Sequence, residues 1–163
     1  MSNLAHIFPY DDVLALEGTA LNKAIARQLG YRLGSELAVR QHEEEWFAPT
    51  PGRAEYQPIG PDGIEFSTNT ALVLGLPLPV PNDCYEDWIH TELGPRGRWI
   101  VRLIRFYRAD ATQPWKSREL YVADRGDDSI PLATAYGRAW LFSHSTWPGS
   151  KVPPATKKMT LAK

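Results

Sequence analysis

The densest apolar signal in the chain is residues 98–107, Arg-Trp-Ile-Val-Arg-Leu-Ile-Arg-Phe-Tyr, a β-branched and aromatic run without Gly or Pro. Successive side chains of a strand point to opposite faces of its sheet. Trp99, Val101, Leu103 and Tyr107 fall on one parity, and Ile100, Ile104 and Phe106 on the other. Apolar groups on both parities predict a central strand whose sheet is covered on both sides, and helices are the natural cover. The expected fold class is α/β of the α+β kind: a small, mainly antiparallel sheet sandwiched between helices on both faces.

The pattern elsewhere supplies the partners. Residues 19–29 place Leu21, Ile25 and Leu29 on one helical face, with Thr19 as N-cap and Gly30 as a left-handed stop. In residues 31–48, Leu33, Leu37 and Val39 suit a strand while Gln41-His42-Glu43-Glu44-Glu45 suits an exposed helix, and the pattern decides for neither. Pro49-Thr50-Pro51-Gly52 reads as a loop, and Gly60-Pro61-Asp62-Gly63 as the turn of a small hairpin joining residues 55–59 to 64–66. Ser67 or Thr68 then caps a short apolar helix through Leu74, ended by Gly75 and Pro77. In residues 84–93, Tyr85, Trp88, Ile89 and Leu93 follow at helical spacing behind Asp83 and Glu86. They predict a third helix, with a strand the alternative for so short a segment. Residues 118–123 are expected to pair antiparallel with the central strand. Finally Asp128 or Ser129 caps a helix with Pro131 in its first turn and Leu132, Ala135, Tyr136, Ala139 and Trp140 on its buried face.

Composition narrows the class. A chain of 163 residues that is 43% apolar, with six Trp and seven Tyr, has material for one real core and is not wholly disordered. Its 14 Pro and 12 Gly predict long irregular connections. The expected organisation is a single domain over residues 1–147, opened by an N-terminal arm bearing Ile7, Phe8, Val13 and Leu14. A basic flexible tail over residues 148–163 follows, in which Lys151, Lys157, Lys158 and Lys163 face no acid. Eighteen basic against nineteen acidic residues leave no global field to draw nucleic acid or an anionic membrane. The lone Cys84 excludes an intrachain disulfide framework and a cysteine-rich zinc site, and no apolar run approaches a membrane span. A cytoplasmic protein without a membrane partner is expected.

The helix ending in Leu29-Gly30-Tyr31, the capping stretch Phe66-Ser67-Thr68-Asn69, and Asp128-Ser129-Ile130-Pro131-Leu132-Ala133 leading into Tyr136-Gly137-Arg138-Ala139 carry a family resemblance. Over residues 21–141 the chain resembles the phage ABA sandwich domain family, small phage-encoded proteins without an established common activity. The resemblance implies a sheet between helical layers and a phage or prophage source, hence the host cytoplasm or a virion as location. The segment 32–65 and the basic tail depart from the family pattern.

Chemistry-bearing groups are sparse. His144-Ser145-Thr146 is half of a paired His-x-Ser/Thr phosphodiesterase signature whose second half is missing, since His90-Thr91-Glu92 places its hydroxyl one position early. His42 with Glu45 is the usable metal-ligand pair in an otherwise solvated acidic run, and Asp124, Asp127 and Asp128 fit a capped turn better than a metal loop. No phosphate loop, nucleophile elbow or Cys/His pair is present, so a conventional enzyme is disfavoured and neither cofactor nor metal is expected. The arginines are richer. Arg96, Arg98, Arg102, Arg105 and Arg108 interleave with Trp99, Phe106 and Tyr107, and guanidinium groups beside aromatic rings suit a phosphate and a stacked base. The candidate ligand-binding residues are Trp99, Arg102, Arg105, Tyr107 and Trp115, with a buried ion pair as the competing reading of any arginine on a covered face. The expected partner is an anionic, nucleotide-type molecule sequestered in the host. A phage or host protein, or a second copy in a homo-oligomer, is the alternative, and a small hydrolase with a scattered site stands behind both.

Overall fold

A computed structural model describes residues 10–123 and 130–145. Among these, helix α1 (Tyr10–Ala15) and helix α2 (Gly18–Gln28) come first. The cap of α2 is Glu17 in extended conformation, so Thr19 lies inside the first turn instead of capping it. The far end is as expected: Gly30 has φ +82°, its N–H donates to Arg27 O at 3.0 Å and that of Tyr31 to Ala26 O at 2.9 Å. These two bonds close the helix in a Schellman turn, which glycine enters without strain.

The open question over residues 31–48 resolves into short pieces: strand β1 (Arg32–Leu33), a 3-10 turn (Gly34–Leu37) and strand β2 (Trp46–Pro49). Pro49, expected in a loop, is the last residue of β2, and the turn after it leads to strand β3 (Tyr56–Pro58), which pairs back on β2 in a sheet of order β1-β2-β3. The expected hairpin about residues 60–63 is therefore displaced. Those residues do turn, with Gly63 N–H on Gly60 O at 2.9 Å, as part of a 3-10 turn (Pro61–Ile64) that takes the place of a returning strand. Helix α3 (Thr70–Leu74) is capped by Asn69, whose side chain accepts from Leu72 N–H at 3.1 Å, so the cap falls one residue after Thr68 and two after Ser67.

The segment expected as a third helix, with a strand as the alternative, is strand β4 (Tyr85–Leu93). It pairs antiparallel with β5 (Trp99–Tyr107), which pairs antiparallel with β6 (Lys116–Ala123), with a bulge at Leu103/Ile104. The central strand and its antiparallel partner stand as read from the sequence, and the chain is α+β with antiparallel sheets.

Helix α4 (Leu132–Ser145) is buried on every side over residues 133–143, beyond the one face the sequence pattern assigned to it. It packs on β5 and β6 through one flank and on α1, α2 and α3 through the others. Small residues make this possible: a Cβ at Gly137 would stand 2.9 Å from Ile25 Cδ1. Its polar atoms are satisfied by the surrounding backbone, as buried donors must be. Thr134 Oγ1 donates to Ser67 O at 3.1 Å, Arg138 Nε to Leu16 O at 2.7 Å and Trp140 Nε1 to Pro77 O at 2.7 Å. The expected caps Asp128 and Ser129, the Asp124-Asp127-Asp128 turn and the 148–163 tail lie outside the described residues.

Candidate functional site

The pairing register sorts the β4–β6 sheet into two unlike faces. Val101, Leu103, Tyr121 and Ala123 are buried on the face that α4 covers. Arg105 and Asp87 sit opposite one another on the same face, fully buried, with Nε to Oδ1 and Nη2 to Oδ2 both at 2.6 Å. Arg105 Nη2 also donates to the Ser143 carbonyl of α4 at 3.2 Å, tying the sheet to the last turn of the helix. His144 adjoins this pair. Burial holds its pKa below the ordinary imidazole value, against the raising effect of its bond to the Trp140 carbonyl at 3.0 Å and of the Asp87 charge.

The other face carries Glu86, Trp88, His90 and Glu92 from β4, Ile100, Arg102, Ile104 and Phe106 from β5, and Glu119 and Val122 from β6. Ile100 is buried by its neighbours and Ile104 and Phe106 are half-buried. Trp88 is 54% exposed and lies against Phe106 at 5.1 Å between ring centroids. Arg102 is held at 3.4 Å from Glu92 and 3.3 Å from Glu119. Among the described residues α4 is the helix that packs closely on this sheet, and it does so on the other face, whereas the sequence pattern predicts a helical layer on both.

The structure does not gather the five predicted ligand residues in one place. Arg105 is committed to Asp87 on the covered face, and Arg102 to two carboxylates on the open one. Trp99 and Tyr107 stand at opposite ends of the nine-residue β5, roughly 26 Å apart at the rise of a strand. Trp115 lies near the Tyr107 end, beneath the guanidinium of Arg108, whose carbon is 4.5 Å from the ring centroid. Of the motifs read from the sequence, His42 and Glu45 do meet at 2.7 Å on an exposed turn, and among the described residues no third metal-ligating side chain joins them. Trp88 is the residue that sequence reasoning passed over. Read as part of a helix it looks like core, whereas its position between Asp87 and Ile89 on a strand puts it on the face away from α4.

No family model, no curated protein and no solved structure matches this chain. Among the described residues no helix is long and apolar enough to cross a membrane.

Proposed function

We propose that the protein is a phage accessory component that works by docking a protein partner on the open face of the β4–β6 sheet. The observation that carries this reading is Trp88, a large side chain more than half exposed in the middle of a regular strand, continuous with half-buried Phe106 and Ile104. Aromatic anchors with an apolar surround and a polar rim are the usual anatomy of a binding patch.

Charge selects the occupant. Glu86, Glu92 and Glu119 are opposed on this face by Arg102, so it is net acidic and would repel a second copy of itself. Its dimensions suit one helix: three strands span about 10 Å between outer axes and nine residues about 30 Å along them, which is the width and length of a helix of about 20 residues. The partner is therefore a basic amphipathic helix, its apolar stripe on Trp88, Ile104 and Phe106 and its Lys or Arg residues on the glutamates. It would supply the second helical layer that the apolar pattern of β5 predicts.

A fluorophore-labelled helical peptide of Leu and Lys in an amphipathic stripe, and a peptide of the same composition in scrambled order, test this by anisotropy. The striped peptide is expected to bind at least about tenfold tighter, a difference of about 1.4 kcal/mol. Equal binding of the two would reduce the effect to net charge and remove the reading.

A further inference from the structure

The turn that follows β5 holds an arrangement independent of the sheet face. Arg108 directly follows the last residue of β5, and its N–H donates to Cys84 O at 2.9 Å. Its side chain is fixed from three directions: Nε donates to the Asp83 carbonyl, Nη1 to the Ala111 carbonyl at 2.8 Å, and the plane lies over the ring of Trp115 at 4.5 Å. A guanidinium has five N–H donors in a rigid fork. These contacts use Nε and one Nη1 hydrogen, and among the described residues Nη2 meets no acceptor.

What sets Arg108 apart is the chemistry of its anchors. Arg105 is neutralised by Asp87, Arg102 by Glu92 and Glu119, and Arg27 by Glu36. Arg108 is held by neutral carbonyls and a ring, which fix its orientation without a direct ion pair, and the Asp110 charge acts on it only from a distance. The nearby carboxylate of Asp110 is turned to the N–H and hydroxyl of Thr112 instead, at 2.9 and 2.5 Å. Exposed Lys116, opposite Tyr107 in the register and next to Trp115 in the chain, adds a second cation at the same end of the sheet. Trp115 itself is 44% exposed, so part of its ring is open to a ligand.

We infer that this bracket binds a phosphate carried on a flat ring, the class to which mononucleotides belong. The outer edge of the Arg108 fork takes two phosphate oxygens, as guanidinium groups do. The exposed surface of Trp115 stacks the ring, and Lys116 adds attraction without fixed geometry.

Calorimetric titration of the full chain with adenosine monophosphate, adenosine and benzoate, at one low ionic strength, tests the site. The monophosphate is expected to bind at least about tenfold tighter than either of the others. Arg108→Lys, which keeps the charge and loses the fork, and Trp115→Ala, which leaves both carbonyl bonds in place, are each expected to lose at least that factor. Melting temperatures of both variants separate lost binding from lost folding, and Trp115→Ala decides should Arg108→Lys unfold. Benzoate binding as tightly as the monophosphate would overturn the phosphate assignment. No binding of the monophosphate at millimolar concentration, or parent-like binding by Trp115→Ala, would overturn the site.

Discussion

Arg105 and Asp87 meet where neither reaches water, and a charge in that position is tolerable only while its partner remains. Replacing Arg105 by Met leaves the Asp87 carboxylate without its counter-charge and is expected to cost about 3–5 kcal/mol in urea denaturation, as removal of one partner from a buried pair does. Replacing Asp87 by Leu in the same chain is expected to recover most of the loss, because an apolar pair needs no compensation in that place. His144 gives the neighbourhood a pH dependence. Its folded pKa is depressed, mainly by burial, so the unfolded chain binds the proton more readily. The stability this contributes is complete above the unfolded value of about 6.5 and is lost as pH falls through the lower folded value. Denaturation midpoints measured between neutrality and mildly acidic pH should fall on acidification, and the fall should be shallower in His144→Asn.

Element by element, the structure is legible in the sequence where one physical cause dominates. The central strand, its antiparallel partner and the Gly30 stop follow from β-branched density and from a backbone conformation that glycine adopts easily. The pattern of β4 favours a helix over the alternative strand because its two most telling residues sit on the wrong parity for an ordinary half-buried strand. Asp87 is buried and Trp88 is exposed, so the alternation is inverted at its centre, and only the pairing with Arg105 explains the aspartate. The candidate ligand residues are spread over both faces and ends of the sheet for a related reason. Arginines adjacent in sequence are separated by the sheet, and which carboxylate neutralises each is a matter of register, invisible to spacing. Two substitutions check the packing. Leu103→Ala, at a fully buried position under α4, is expected to lose about 2–5 kcal/mol in denaturant midpoint analysis. Gly137→Leu, which forces a large side chain against Ile25 and Leu21, should cost about 1–3 kcal/mol or more by the same measurement, despite leucine's better helix propensity.

At the scale of the molecule, the organising element is α4, surrounded by the β4–β6 sheet and the three shorter helices. A helix buried on every side is stable only when enclosed and when its polar groups find partners, and this one is enclosed by elements drawn from most of the described chain. One consequence is that the sheet presents its far face without a helical layer among the described residues. The apolar residues there are those that the pattern of β5 marks for burial. The proposed partner helix resolves that mismatch, and Trp88 separates folding from docking because it contributes little to the core and much to the patch. The most direct test measures Trp88→Ala for both stability and binding of the striped basic peptide. The account predicts a denaturation midpoint within about 0.5 kcal/mol of the parent, as for surface substitutions, together with a loss of about 2 kcal/mol or more in peptide affinity, as for an anchor residue. A variant that is strongly destabilised, or that binds the peptide as the parent does, would contradict it.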